Sequence, residues 1–134
     1  MRITRLLKDD LDEFWPDVEY LISSALRYAD RKYSSQDILL DLTKGDKQLW
    51  VVYTKTDIVG CVVTEILLYP QEKRLGIFIA AGRDFESWVH LRVDIYAWAK
   101  RYGCKTCEFY GRKGWERKLP SFKLIHICMT EDIK

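Results

Sequence analysis

Three groups of residues in this sequence have types and spacings that could do chemistry. The first is a turn. Arg74-Leu75-Gly76-Ile77-Phe78-Ile79-Ala80-Ala81 is a short, nearly continuous apolar run, broken by Gly82-Arg83-Asp84. Phe85, Trp88, Leu91, Ile95, Trp98 and Tyr102 then recur at helical spacing until Gly103. This reads as strand, tight turn and one long helix over 85–102. A helix leaving the end of a strand offers free backbone N–H groups and the positive end of its dipole, which together suit an anion. The second group is acidic. Glu65 lies within an apolar run and shares one side of a strand with Cys61, Val63 and Leu67 by alternation. A carboxylate on an otherwise apolar face is costly unless paired, and such settings are how a general base is tuned. Glu108 is the second carboxylate of this kind, and pairing of either with a nearby basic side chain is the plainer alternative. The third group is Cys104-Lys105-Thr106-Cys107, which has the spacing of half a zinc site or of a redox pair. It opens a strand-like stretch, where residues three apart point to opposite faces. No second close cysteine pair exists, and His90 and His126 stand alone. Buried free thiols without metal are the expectation.

These residues need a frame, and the rest of the chain supplies one. Met1 to Leu7 suits a first strand. Pro16 fits the first turn of a helix running to Ala29, with Val18, Leu21, Ile22, Ala25, Leu26 and Ala29 forming one apolar stripe. Ser34 stands three residues before Asp37, as in a capping box, and Gly45 closes that second helix. Gln48 to Thr54 and Ile58 to Tyr69 read as a hairpin of two strands around Lys55-Thr56-Asp57. The central strand, apolar on both sides, belongs in the middle of a sheet. After the long helix come a strand over Lys105 to Tyr110, a short helix over Trp115 to Leu119, and a last strand over Phe122 to Met129. The order β-α-α-β-β-β-α-β-α-β predicts a mixed sheet with helices on both faces. Strands 74–81 and 105–110 should be parallel neighbours, joined by a right-handed crossover.

The 134 residues suffice for one domain, 1–134, with a real core. No apolar run approaches the roughly 20 residues a bilayer span needs, and Met1-Arg2-Ile3-Thr4 opens directly into a strand-like pattern, so a cytoplasmic protein without membrane contact is expected. The formal net charge of +2 is too small to suggest a partner. Basic residues do gather at Lys100, Arg101, Lys105, Arg112, Lys113, Arg117, Lys118 and Lys123, opposed only by Glu108 and Glu116. A solvated surface accounts for them; a phosphate-bearing partner, nucleotide or nucleic acid, is the sharper alternative. Of the tryptophans, Trp50, Trp88 and Trp98 fall on core faces, and Trp115 flanks the basic turn at Gly111-Arg112-Lys113-Gly114.

The element order and two local runs carry a resemblance. The order resembles that of the GNAT acyltransferase superfamily. Trp98-Ala99-Lys100-Arg101-Tyr102-Gly103-Cys104 is similar to the superfamily's helix end and strand start. The run Gly111 to Leu119 resembles short GNAT-like proteins of bacteriophages, which would place the chain in the host cytoplasm or a virion. The resemblance implies a central strand, turn and helix that hold the pyrophosphate of acetyl-CoA. Ile79, Ala80, Ala81, Gly82, Arg83 and Ser87 would be the cofactor-binding positions, and Glu65, with Glu108 second, would deprotonate an amine. The superfamily's acidic tyrosine aligns with Arg117, which cannot donate a proton near neutral pH; Tyr110 would have to replace it, or simply caps the sheet edge. The phosphate turn keeps one glycine and places Asp84 and Glu86 near the anion, although Asp84 also suits a helix N-cap. These departures predict weak acetyl-CoA binding and an accessory or interaction protein. An acetyl-CoA-dependent N-acyltransferase is the alternative, and a nucleic-acid binder using Lys100, Arg101, Arg112, Lys113, Arg117 and Lys118 a weaker one.

Overall fold

Among the described residues five strands, β1 (Arg2–Leu6), β2 (Gln48–Tyr53), β3 (Ile58–Leu68), β4 (Lys73–Gly82) and β5 (Thr106–Phe109), lie side by side in chain order. Each neighbouring pair from β1 to β4 is antiparallel, and β4 and β5 are parallel. The central strand thus sits inside the sheet, beside the parallel neighbour that the sequence predicts. The structure is a computed structural model and describes residues 1–29, 31–111 and 114–134.

Helices cover both faces. On one, α1 (Leu11–Leu26) and α2 (Ser35–Lys44) pack Val18, Ile22, Ile38 and Leu42 against Leu49, Val51, Cys61, Val63 and Ile79. On the other, α3 (Phe85–Trp88) and α4 (Arg92–Arg101) pack Trp88, Ile95 and Trp98 against Trp50, Val52, Val62, Leu75 and Ile77. A bulge lets β4 serve both cores. Val63 pairs with Ile79 while Thr64 pairs with Ile77, so Phe78 is the extra residue. On the α4 side, Trp50 Nε1 donates to Thr64 Oγ1 at 3.0 Å, and that hydroxyl donates to Gln48 Oε1 at 2.9 Å, which satisfies three buried polar groups together.

Local signals place most boundaries. Ser34 and Asp37 form the full capping box at the start of α2, and Gly45 ends it with φ of 85°. Three elements differ from expectation. The first helix begins at Leu11, directly after a 3-10 turn over Lys8–Asp10. Pro16 therefore lies inside it, where its missing N–H forfeits the bond to the Asp12 carbonyl. The helix over 85–102 is broken into α3, a 3-10 turn over Val89–Leu91, and α4. The spacing explains this: Phe85, Trp88 and Leu91 recur every three residues, the 3-10 period, before the α-helical intervals to Ile95 and Trp98 begin. Finally, Phe122 to Met129 forms no strand; from Lys123 onward the chain has no regular structure and is exposed. The tenth element of the expected order is absent, while the mixed sheet with helices on both faces stands.

Candidate functional site beside β4 beyond the end of β5

β5 pairs with β4 along its whole length, Thr106–Phe109 opposite Arg74–Ile77, and ends there, while β4 continues to Gly82. The space beside β4 beyond the end of β5 is filled by rings. Phe85 meets Trp88 edge-on at 4.9 Å between centroids and Trp115 at 5.1 Å, and Trp115 meets Phe109 at 5.1 Å. Trp115 is carried by the short helix α5 (Trp115–Lys118), so it packs that helix onto the body. Leu119, next in the chain, is buried. Gly111 lets the rings approach: a Cβ there would fall 2.4 Å from Phe109 and 2.7 Å from Trp115. The remaining cavity is about 30 Å³, lined by Ala80, Phe85, Trp88, Arg92, Phe109 and Trp115 among others. That is room for about a water or two; small-molecule clefts run from about 300 to 1,000 Å³.

The turn after β4 is fastened from several sides. Gly82 has φ of 140° and pairs with Gly60, and a Cβ on Gly82 would strike the Val59 carbonyl at 2.4 Å. The Arg83 N–H donates to Val59 O at 3.0 Å, and its guanidinium reaches Asp57 at 3.4 Å. The Ser87 N–H donates to Asp84 O at 2.8 Å. Two N–H groups expected to face an anion are thus used inside the turn. Asp84 stands at the N-cap position, but with φ of 54° its side chain makes no capping hydrogen bond. With only four residues in α3, the aligned dipole expected of a long helix is not built here. The buried Trp88 indole donates to the Arg83 carbonyl at 2.9 Å and lies against Gly60, where a Cβ would be 2.8 Å from the ring. Ile79, Ala80 and Ala81 continue the ladder to β3, opposite Val63, Val62 and Cys61, and Ala80 faces the cleft.

The carboxylates lie on the other face. Glu65, Gly76 and Glu108 form one row across β3, β4 and β5. Two strand spacings separate the acidic residues, about 10 Å, with a side-chain-free residue between them. Each carboxylate is engaged. Lys47 Nζ lies 3.3 Å from Glu65 and 3.1 Å from Asp41, with its ammonium 4.9 Å from the centre of the Phe78 ring. Burial works against the Lys47 charge, but Asp41 and Glu65 outweigh it and hold the ammonium above its ordinary value. Glu108 accepts from Tyr69 Oη at 2.9 Å and lies 3.7 Å from Arg74. That hydrogen bond to a carboxylate is the main reason the Tyr69 phenol is pushed up to about 12. Tyr110 follows β5, is 72% exposed, and is also raised, chiefly by a hydrogen bond to Glu108. Sequence reading missed Lys47 and Tyr69, although the cost of a lone carboxylate on an apolar face calls for such partners.

The thiols Cys61, Cys104, Cys107 and Cys128 are free. Cys104 and Cys107 pack into the same α4-side cluster rather than pointing apart, because Cys104 precedes the strand and escapes its alternation. Burial pushes Cys107 up to about 11, away from nucleophilic use. Among the described residues no three of His, Cys, Asp or Glu converge on a possible metal position. Arg117 is exposed on α5, as are Lys100 and Arg101 on α4, while Lys118 places its ammonium 5.4 Å from the centre of the Trp115 ring. The basic pair Arg112 and Lys113 lies outside the described residues. Among the described residues no helix is long and apolar enough to cross a membrane.

Neither a protein-family model nor a curated protein matches this sequence. Solved structures do match in fold. A GNAT family acetyltransferase from Staphylococcus aureus subsp. aureus superposes with a TM-score of 0.68 at 14% identity, over 99% of this chain and 100% of its own. A ribosomal-protein-alanine N-acetyltransferase from Brucella melitensis biovar Abortus gives 0.67 at 12% identity, over 100% and 99%. An aminoglycoside acetyltransferase from an uncultured soil metagenomic sample, in complex with sisomicin, gives 0.65 at 16% identity, over 98% and 96%. The chain therefore has the fold of the GNAT acetyltransferases.

Proposed function

We propose that this protein uses the GNAT fold as a scaffold, with little or no acyl transfer, in an accessory or interaction role. One observation carries this reading: the space beside β4 beyond the end of β5 is filled by Phe85, Trp88, Phe109 and Trp115, leaving about 30 Å³. The extended arm of acetyl-CoA does not fit that space as packed. The engaged N–H groups of Arg83 and Ser87, the acidic Asp84 and Glu86, and Arg117 in place of an acidic tyrosine favour the same reading. The resemblance of residues 111–119 to phage proteins extends it to the host cytoplasm or a virion.

Calorimetric titration with acetyl-CoA tests the proposal. The expected result is a dissociation constant well above the micromolar range of enzyme substrates. An N-acyltransferase is the second reading, favoured by Glu65 and Glu108 standing in one row at the end of the β4–β5 pairing. Micromolar binding, with turnover of primary amines that disappears in Glu65→Gln, would restore it.

A further inference from the structure

A second cavity lies at the other end of the sheet from the turn after β4. That turn starts at Gly82, level with Gly60 of β3, Val52 of β2 and Ile3 of β1. The cavity instead sits where β1 ends, β2 begins and α2 stops, against Arg5, Lys8, Lys44, Lys47 and Gln48. Its volume is about 220 Å³, against about 30 Å³ in the aromatic cleft. Cations line it and no acidic residue does. Lys47 is already matched by Asp41 and Glu65. Arg5, Lys8 and Lys44 have no carboxylate at ion-pair distance among the described residues. The Arg5 guanidinium lies 5.1 Å from the centre of the Trp98 ring, and its buried Nε meets no acceptor. Gln48 is only 7% exposed, and its Oε1 is taken by the Thr64 hydroxyl, which Trp50 Nε1 holds in the donor role. The amide therefore cannot flip, and its NH2 end is the one left for a further acceptor. Arg5 pairs with Trp50, two residues from Gln48, so the two side chains are diagonal neighbours on one face, about 7–8 Å apart.

We infer that this cavity binds the phosphate group of a small ligand, as the free ion or as an ester. The sign follows from three uncompensated cations beside directed N–H donors. A phosphate monoester carries a charge of about −1.5 to −2 at neutral pH, which they can balance. The guanidinium and the amide supply oriented hydrogen bonds, and the ammonium groups of Lys8 and Lys44 supply charge. Shape separates phosphate from carboxylate. The donors come from β1, β2 and the end of α2, and three terminal oxygens can face three directions where a carboxylate offers two in one plane. The carbonyl end of α2 would repel an anion, but it is partly satisfied within the chain: the Gly45 N–H donates to Leu42 O at 3.2 Å, and the Asp46 N–H to Asp41 O at 3.0 Å. The volume lies below the roughly 300–1,000 Å³ of drug-sized clefts, so the ligand is small. The inference is independent of whether acetyl-CoA binds.

Titration of the nitrogen-labelled chain with inorganic phosphate at constant ionic strength, followed by NMR, tests the site. The Arg5 Nε–H and Gln48 side-chain amide signals should shift and saturate at millimolar phosphate or below. Arg5→Met should weaken binding by at least about tenfold. The double variant Lys8→Ser with Lys44→Ser should do the same, and because both side chains are exposed it leaves the fold intact. Glycerol 3-phosphate and succinate, titrated in the same way, separate the ligand classes. Tighter binding of the ester than of the ion assigns the remaining room to an organic body; equal or weaker binding assigns the site to the free ion. Succinate bound as tightly as phosphate overturns the phosphate assignment. Signals that never saturate, that chloride moves equally, or that respond unchanged in both variants overturn the site itself.

Discussion

The two faces of β4 are closed by opposite means. On the α4 face, the space beyond the end of β5 is filled by interlocked aromatic rings, with almost no polar chemistry among them. On the α1–α2 face, charged and phenolic groups remain, but each carboxylate is engaged: Glu65 by the Lys47 ammonium, and Glu108 by the Tyr69 hydroxyl and Arg74. The contrast separates two requirements of an acyltransferase. In the proposed reading, the polar groups that could handle an amine lie on one face, and the packed rings leave about 30 Å³ on the other.

The largest effect should come from the aromatic face. Trp88→Ala removes a buried ring and the donor to the Arg83 carbonyl, and should cost about 3–5 kcal/mol in urea unfolding. A loss below about 1 kcal/mol would mean that the rings pack loosely and that the cleft opens readily. Next comes Lys47→Met, which leaves Glu65 and Asp41 without their shared cation. With these carboxylates partly exposed, about 1–2 kcal/mol is expected. Because the Lys47 value is raised in the folded state, its contribution is complete below the ordinary lysine value of 10.5 and is lost as pH rises through the folded value. A wild-type advantage over Lys47→Met that persists unchanged as pH rises through the folded lysine value would contradict this pairing.

The smallest effect is spectroscopic. Tyr69 should ionise near 12, visible in the tyrosinate absorbance of the wild type minus Tyr69→Phe. In Glu108→Gln the midpoint should return toward the ordinary 10. The raised value favours the protonated phenol in the fold, so its stabilisation is complete below pH 10 and fades as pH climbs through 12. An unchanged midpoint in Glu108→Gln would show that the two groups do not interact, and the picture of engaged carboxylates would fail on that side.

The features legible in the residues alone are local ones. The Ser34–Asp37 box, the Gly45 stop, the hairpin strands and the apolar central strand all depend on neighbours within a few residues or on simple periodicity, and all stand in the structure. Even the break in the helix after β4 is written in the three-residue spacing of Phe85, Trp88 and Leu91, once the 3-10 period is considered. The rest arises from folding in three dimensions. The rings of Phe85, Phe109 and Trp115 meet only because β5 ends opposite Ile77 while β4 runs on into the turn that carries Phe85. Lys47 finds Glu65 across β2 and β3, 18 residues apart, and Tyr69 finds Glu108 across 39. Such encounters are set by strand register and by which face a bulge turns outward, and neither leaves a periodic mark in the chain. The segment 122–129 is the converse case: its composition suits a strand, yet without ladder partners in the fold it has no regular structure.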